Sequence, residues 1–333
     1  MRNLMFFLLL VLAAFNVHAE RFSNVYFFGD SLTDVGNVRN LSTTPLPADS
    51  PYNPQGRASN GPIYADTLAA GLGFPVAPST AGGNDYAFGG ARTRYQLSGP
   101  PFMGIGEQID TFTSIPGMAD PSALYVVWGG ANNLQDIIRG KTVDALGNPI
   151  PTLSQSVGDM LHGIQALYDD GARIFLVPNV PDLGLTPRIR EFGSAAIAYG
   201  HALSLGFNAM LEAALVALDD DLADIELITF DTYLALGRIV AAPSAFGLTN
   251  VDSRCYTGDD LTFTGGGSVC ATPESYLFWD GIHPTTTVHG ILGRQMLAAI
   301  PEPGTAALIG AALLMLLARR TTGCRRCKDG VLR

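Results

Sequence analysis

Residues 25–37 read VYFFGDSLTDVGN, and this stretch decides how the rest of the chain is interpreted. The apolar run Val25–Phe28 is typical of a buried strand, which ends at Gly29. Ser31 follows at once, either as a helix cap or as a nucleophile. A serine hydroxyl is a weak nucleophile until a base removes its proton. No histidine lies close to Ser31 in sequence, so any base must come from elsewhere in the chain.

Similar apolar runs recur along the chain and alternate with helical patterns. Strands that alternate with helices predict a parallel sheet with helices on both faces. In such folds the functional site lies beyond the carboxyl ends of the strands. The predicted strands are Val25–Phe28, Leu124–Trp128, Arg173–Val177 and Ile225–Phe230, with Phe74–Ala77 as a weaker fifth. The predicted helices are Pro62–Leu72, Ser154–Tyr168, Ala195–Leu218 and Thr286–Ala299.

Both ends of the chain have the composition of targeting segments. Residues 1–19 combine a basic residue, an apolar run and a small-residue site at Ala19, which predicts a secretory signal peptide. Residues 301–333 contain a short apolar stretch followed by basic residues, which predicts a membrane segment with its basic end in the cytoplasm. The stretch is short for a full span, which takes roughly 17–25 residues. One folded domain is expected at residues 20–300.

This domain is strongly acidic. Residues 20–300 contain 13 Lys and Arg against 28 Asp and Glu, a formal net charge of −15. Such a surface is a poor partner for nucleic acids and is repelled by anionic membranes. The whole chain is 47% hydrophobic and only 15% charged, which is typical of an ordered globular protein.

The four cysteines form two pairs. Cys255 and Cys270 lie in a glycine-rich part of the exported domain, where an isolated pair predicts one disulfide that closes a surface loop. Cys324 and Cys327 lie in the basic tail, and a lone pair there is a weak signal for a metal or redox site. The histidines are scattered, so no metal site and no cofactor are expected.

One histidine has the surroundings of a catalytic base. His283 lies in a loop before the last predicted helix, with Asp280 three residues earlier. This spacing lets the carboxylate bind one ring nitrogen and leave the other for Ser31. Taken alone, such a pair is also compatible with a turn and a helix cap. The other histidines of the domain lie inside helical patterns and favour structural roles: His162, His201 and His289.

Four blocks of sequence, in the expected order, resemble the GDSL family of SGNH esterases and lipases. The blocks are Gly29–Asn37, Asn84–Ala91, Gly130–Asn132 and Asp280–Pro284. Together they bracket nearly the whole domain, whereas the G-x-S-x-G motif of α/β-hydrolases is absent. The resemblance implies an α/β fold, a three-layer α/β/α sandwich around a mostly parallel five-stranded sheet, the flavodoxin-like arrangement of SGNH hydrolases.

The family resemblance also implies a role for each motif residue. Ser31 attacks an ester carbonyl, His283 takes its proton and later protonates the leaving alcohol, and Asp280 orients His283. The N–H groups of Ser31 and Gly90 and the amide of Asn132 hold the oxyanion, without metal or organic cofactor. Three neighbouring residues are expected to cap helices or brace the nucleophile loop: Asp30, Asp34 and Asn37.

Two features of the site are less well defined by the sequence. Asn133 stands where the family often has aspartate, and we expect altered hydrogen bonding there rather than loss of activity. The segment Pro100–Ile105 lines an acyl pocket or covers the core, and the second interpretation is favoured. Because no lipase lid is evident, short-chain esters are a mild preference.

The expected reaction is hydrolysis of carboxylic esters through an acyl-enzyme. A carbohydrate O-deacetylase or an acyltransferase acting on surface polysaccharide or lipid is the alternative within enzymes. A non-catalytic surface-binding module is the alternative outside them, although every residue needed for catalysis is present.

The C-terminal end resembles the PEP-CTERM sorting signal of Gram-negative bacteria. The matching parts are Pro301-Glu302-Pro303, the apolar stretch and Arg319-Arg320. The resemblance implies export across the inner membrane, transient anchoring there and processing by an exosortase. The protein is then expected at the cell surface or in the extracellular matrix.

Overall fold

The centre of the fold is a four-stranded parallel sheet in the order β1-β2-β3-β4. Every residue of β1 and β2 is buried, as continuous apolar runs in a parallel sheet require. The two strands pair in register, with Gly29 opposite Trp128 at the carboxyl edge. The strands are β1 (Val25–Gly29), β2 (Leu124–Trp128), β3 (Ile174–Pro178) and β4 (Glu226–Phe230).

The structure is a computed structural model, and it describes residues 21–42, 50–94, 103–144, 147–260 and 265–301. Residues Phe22–Ala299 form one folded unit. The predicted signal peptide, the apolar stretch and the basic tail with Cys324 and Cys327 lie outside the described residues. Those assignments stay predictions.

The expected fifth strand, Phe74–Ala77, is corrected by the structure. Pro75 and Pro78 have no N–H to donate to a ladder, and the residues between Gly73 and Pro78 belong to no strand. The segment 84–88 takes the place beside β1 instead. Its Tyr86 and Phe88 N–H groups donate to β1 carbonyls at 2.7 and 3.2 Å. The second motif block therefore lies along the edge of β1, next to the turn that carries Ser31.

Helices cover both faces of the sheet, which confirms the three-layer sandwich. On one face, α3 (Ile105–Thr113), α5 (Leu153–Asp170) and α7 (Ser194–Asp221) enclose a large apolar core. On the other face lie α2 (Tyr64–Leu72) and α9 (Thr286–Ala299). Aromatic rings join α2 to the sheet: the ring of Tyr64 is 4.9 Å from that of Trp128 in β2 and 6.3 Å from that of Phe27 in β1.

The long helices end close to their predicted limits because local signals define them. The Thr152 hydroxyl accepts from the N–H of Gln155 and caps α5, and Gly171 at φ 123° ends it.

The shorter elements are α1 (Asn37–Leu41), α4 (Ala131–Ile138), α6 (Pro187–Arg190), α8 (Thr232–Ala241) and a small two-stranded sheet of β5 (Asn250–Arg254) and β6 (Tyr276–Phe278).

Within the described ranges, α7 alone is long and apolar enough to cross a membrane by length and composition. Core helices of folded domains pass the same test. One stripe of α7 packs into the core through Leu203, Phe207, Leu211 and Leu215. We therefore describe it as a helix of the sandwich.

Candidate active site

Ser31 occupies a tight turn immediately after β1. The backbone carbonyl of Asp30 accepts hydrogen bonds from the N–H groups of Thr33 and Asp34, both at 2.9 Å. A side chain at Gly29 would not fit, because its Cβ would lie 2.7 Å from the carbonyl oxygen of Trp128. The sheet edge and this turn together hold the serine beyond the carboxyl end of β1.

The base predicted from the far end of the chain lies next to Ser31. The Oγ of Ser31 is 2.8 Å from Nε2 of His283, although 252 residues separate them. On the other side of the ring, Nδ1 is 2.7 Å from Oδ2 of Asp280. The three side chains thus form one continuous hydrogen-bonded series.

Asp280 is fully buried, yet its surroundings favour the ionised form. Burial opposes ionisation of Asp280. The charge of His283 outweighs burial, together with hydrogen bonds from the His283 ring and from the N–H groups of His283 and Ile282. The pKa of Asp280 is therefore lowered. Its Oδ1 accepts from the N–H groups of Ile282 and His283 at 2.8 and 2.7 Å. An ionised Asp280 requires a proton on Nδ1, so Nε2 presents its lone pair to Ser31.

The loop that carries Asp280 and His283 is braced by an ion pair. The N–H of Gly281 donates to Oδ2 of Asp260 at 2.8 Å, and Arg188 binds the other oxygen of Asp260 at 2.9 Å. The backbone N–H of Arg188 donates to the Gly281 carbonyl at 2.8 Å. A Cβ at Gly281 would lie 2.3 Å from Oδ2 of Asp260, so a larger residue there would have to displace the carboxylate that accepts the Gly281 N–H.

The three predicted oxyanion donors differ in whether they already donate a hydrogen bond within the protein. The N–H of Gly89 donates to Asp34 at 2.9 Å, whereas the N–H groups of Ser31 and Gly90 have no acceptor among the described residues. The Asn132 side-chain nitrogen donates to the Ala91 carbonyl at 3.0 Å and, more weakly, to Asp30 at 3.3 Å. The long bond to Asp30 is the one that an oxyanion can replace.

Asp34 and Asn37 brace the nucleophile turn as expected. Asp34 is buried and accepts from Gly36 and Asn37 N–H on one oxygen and from Gly89 N–H on the other. The Asn37 amide donates to the carbonyls of Asp85 and Ala87. The first and second motif blocks are therefore tied together through buried polar contacts.

Asp30 is buried beside Ser31. Burial raises the pKa of Asp30 to about 6, although the Leu32 N–H and the charge of His283 act in the opposite direction. Asp85, in the second block, is also fully buried, and burial raises its pKa well above its usual range. It accepts from Val35 and Ala87 N–H at 2.7 and 2.9 Å.

Asn133 has a hydrogen-bond pattern that aspartate cannot reproduce. Its buried amide nitrogen donates to the hydroxyls of Ser156 at 3.0 Å and Thr93 at 3.2 Å. Its oxygen accepts from the Thr93 N–H at 3.1 Å. An ionised aspartate has no N–H, so both hydroxyls would have to turn and donate to it instead.

A largely apolar pocket opens beside Ser31 and His283. Residues 100–102 of the segment Pro100–Ile105 lie outside the described ranges. Ile105 is buried in the core, and residues 103–105 do not line the pocket. The apolar lining includes Leu32, Trp128, Pro181, Leu183, Leu236, Phe278, Ile282 and Leu292; Gln135, Asp182, Thr186 and Thr232 add polar groups.

Two further contacts of the site have no local signal in the sequence. Tyr52, from a stretch that reads as surface loop, donates its hydroxyl to Oδ2 of Asp280 at 2.8 Å. His201 lies 2.6 Å through Nδ1 from both oxygens of Asp182, a pocket residue. Both contacts join residues from separate elements, which a single sequence does not reveal.

A disulfide joins Cys255 to Cys270 close to the triad loop. The N–H groups of Cys255 and Tyr256 donate to the carbonyls of Phe278 and Trp279 at 3.1 and 2.6 Å. The cross-linked loop is therefore paired with the two residues that precede Asp280. Across the described ranges, no group of three or more His, Cys, Asp or Glu side chains is arranged to hold a metal ion.

Comparison with known proteins decides the family. The family model of GDSL-like lipases and acylhydrolases matches residues 25–296. The chain belongs to this family. A GDSL esterase/lipase of Arabidopsis thaliana is 27% identical over 88% of this chain and 89% of its own length. By family, this GDSL protein is a carboxylic ester hydrolase.

Overall similarity does not separate active from inactive members. An inactive GDSL esterase/lipase-like protein of Arabidopsis thaliana is 26% identical over 89% of this chain and 76% of its own length. Among solved structures, an α/β hydrolase from the metagenome of Lake Arreo, Spain, is similar with a TM-score of 0.47 and 12% identity, covering 85% of this chain and 97% of that one. Whether this GDSL protein is active therefore depends on the residues around Ser31.

Proposed function

We propose that this protein cleaves carboxylic esters through an acyl-enzyme formed on Ser31. The observation that carries the proposal is the continuous series from Ser31 through His283 to Asp280, with contacts of 2.8 and 2.7 Å. These distances are within the hydrogen-bond reach that a nucleophile and its base require. The buried, ionised Asp280 keeps the ring in the tautomer that accepts a proton at Nε2.

The proposed reaction has two halves that use the same histidine. His283 Nε2 takes the Ser31 proton as Oγ attacks the carbonyl carbon, and the proton then passes to the leaving alcohol. In the second half His283 takes a proton from water, whose oxygen attacks the acyl carbon. Collapse of this intermediate breaks the bond to Oγ, and Ser31 regains its proton from His283.

The oxyanion formed in each half is assigned to the N–H groups of Ser31 and Gly90 and the amide of Asn132. The two unbonded backbone N–H groups support this assignment, because donors without a partner need no rearrangement before they bind negative charge. The Asn132 amide exchanges its long bond to Asp30 for one to the oxyanion. One such donor is worth roughly 10²–10³ in kcat.

Short acyl groups are the proposed substrates. The apolar side chains beside Ser31 favour burial of an acyl chain, and Pro181, Leu236 and Leu292 enclose the space into which it would extend. Acetylated carbohydrates, or transfer to an alcohol in place of water, are the alternatives. A series of p-nitrophenyl esters and acetylated sugars, with and without an added alcohol, separates these reactions by product.

Labelling by a fluorophosphonate probe tests the mechanism. The wild-type protein is expected to be labelled, and Ser31→Ala to lose both labelling and esterase activity. Ser122→Ala, an exposed serine in the turn before β2, is the matched control and is expected to keep both. Labelling of Ser31→Ala equal to the wild type would overturn the proposed nucleophile. A wild type without labelling or turnover would favour a non-catalytic binding module.

We also propose that the protein is exported and sorted through residues 301–333 by an exosortase. The supporting features are the signal-peptide pattern at residues 1–19 and the PEP motif, apolar stretch and basic residues at the other end. In an exosortase-containing Gram-negative host, the wild type is expected at the cell surface or in the medium. Retention of the uncleaved chain in the inner membrane, unaltered by replacing Pro301–Pro303, would contradict the proposal.

A further inference from the structure

The carboxylate of Asp280 has a hydrogen-bond donor from outside its own loop. The hydroxyl of Tyr52 donates to Oδ2 at 2.8 Å, across 228 residues of sequence. This is the oxygen that faces Nδ1 of His283. Among the described residues, the other oxygen accepts from the backbone of the same loop only, at Ile282 and His283. Tyr52 is therefore the donor that shares the reactive oxygen with the histidine.

The Tyr52 ring is held by an aromatic box. It meets Tyr256 edge to face at 5.4 Å between ring centroids and Trp279 at 6.2 Å. Tyr256 and Trp279 stack on each other at 5.8 Å, and Cys255 of the disulfide belongs to the same buried cluster. Tyr52 itself is only 4% exposed. Its hydroxyl is thus aimed at Asp280 by packing on Tyr256 of the disulfide-linked loop and on Trp279, which directly precedes Asp280.

A buried carboxylate needs such donors. Asp280 has no exposed surface, so water does not compensate its charge. Without the Tyr52 hydroxyl, Oδ2 would depend on the His283 ring alone, and the carboxylate would be free to rotate about its backbone contacts. A hydrogen bond to a charged group is worth more than one between neutral groups.

We propose that Tyr52 is a positioning residue of the hydrolase: its hydroxyl fixes Oδ2 of Asp280 and so sets the orientation and proton affinity of His283. The proposal rests on the proposed function, since it assigns Tyr52 to the same triad. Tyr52 does not line the pocket, so it acts through Asp280 and not on the substrate.

Several other ionisable groups face the Asp280–His283 pair and would remain in a Tyr52 variant. Asp30 lies on the nucleophile side of His283, and buried His289 of α9 faces both members of the pair. Asp260, neutralised by Arg188 and Arg254, lies under the loop. None of these groups supplies the hydrogen bond that Tyr52 makes to Oδ2.

The sign of the effect follows from electrostatics. The Tyr52 hydroxyl stabilises the form of the pair that carries the net negative charge. Removing it makes the pair hold a proton more tightly, so the histidine is blocked by protonation at a higher pH. The acid limb of kcat/KM therefore moves to higher pH.

Tyr52→Phe removes the hydroxyl and keeps the ring. We expect the acid limb to move up by about half to one pH unit and kcat to fall roughly tenfold, with KM little changed. Tyr256→Phe is the matched control, because it removes a hydroxyl from the same box that does not bond to Asp280. Its acid limb is expected at the wild-type position.

The outcomes separate this proposal from the proposed function. If the wild type is active and both Tyr52→Phe and Tyr256→Phe have the same pH profile as the wild type, the positioning role of Tyr52 is overturned and the proposed function is not. A wild type without Ser31-dependent turnover would overturn the proposed function. Tyr52→Ala, which also removes the ring, gives the effect of lost packing. Thermal melts of each variant establish that Tyr52→Phe is folded, and a Tyr52→Phe defect confined to melting would also contradict the proposal.

Discussion

At the scale of single residues, buried carboxylates surround the nucleophile and differ in what holds their charge. Asp280 has its charge compensated by four hydrogen bonds, two from the ring and backbone of His283 and one each from the Ile282 N–H and the Tyr52 hydroxyl. Asp30 accepts one backbone N–H at 3.0 Å and one long amide contact. An aspartate is thus kept ionised at position 280, whereas burial makes its ionisation costly at position 30.

Asp30 makes stability depend on pH. Its folded pKa, about 6, lies above the ordinary value of 3.8, so the folded state binds the proton more tightly than the unfolded state. The stability contributed by protonated Asp30 is present below about pH 4 and is lost as pH rises through 6. The expected loss is about 3 kcal/mol.

Urea unfolding of wild type and Asp30→Asn between pH 3 and 8 measures this effect. The variant does not titrate at this position, so its stability relative to wild type is expected to rise between pH 4 and 7. Comparing the two proteins cancels the contributions of Asp34 and Asp85, whose pKa values burial also raises. A difference that stays constant across this range would contradict the assignment.

At the scale of elements, loops that pair with strand ends carry the site. The segment 84–88 lies along β1, and the loop closed by Cys255 and Cys270 pairs with the residues before Asp280. Tyr86 of the first segment also packs against Phe112 of α3, with ring centroids 5.3 Å apart. The second loop instead packs in a separate buried cluster with Tyr52 and Trp279, so its order depends on that cluster, on its pairing with the residues before Asp280 and on the cross-link.

Replacing both cysteines, as Cys255→Ser with Cys270→Ser, removes that cross-link. The disulfide spans 15 residues, a loop size for which the chain-entropy model gives about 3 kcal/mol of stabilisation. Urea unfolding of the oxidised wild type and the double variant measures the loss. Equal midpoints would contradict this role for the disulfide, and a reduced wild type is expected to match the double variant.

At the scale of the whole molecule, the site joins the two ends of the domain across one core. Ser31 follows the first strand, His283 precedes the last helix, and α7 packs against α4 in the same apolar core. Phe207 of α7 is fully buried, and a Cβ on Gly130 would lie 2.5 Å from its ring. The close fit of this ring supports the start of α4, which carries Asn132.

Phe207→Ala leaves a cavity beneath α4. Loss of a buried phenylalanine costs about 3–5 kcal/mol, so the urea midpoint is expected to fall accordingly. Phe207→Leu refills most of the volume and is expected to cost less than half as much. If both variants unfold at the wild-type midpoint, the core does not depend on this ring.

The sequence by itself determined the four strands of the parallel sheet, the main helices and the four motif blocks. Continuous apolar runs require burial, and caps and glycines end helices through local backbone chemistry, so both leave local patterns. The spacing of Asp280 and His283 is also local. The family resemblance connected them to Ser31, and the structure brings the three within hydrogen-bond distance.

Only the tertiary structure decided which distant groups complete the site. It replaced the expected strand Phe74–Ala77 by the segment 84–88. It brought Tyr52 to Asp280 and His201 to Asp182. These contacts depend on how whole elements pack, and a hydrogen bond between side chains of two separate elements, 228 positions apart for Tyr52 and Asp280 and 19 for His201 and Asp182, imposes no periodicity on either segment. The motif VYFFGDSLTDVGN located Ser31 as the proposed nucleophile, and the packing of whole elements determined which side chains surround it.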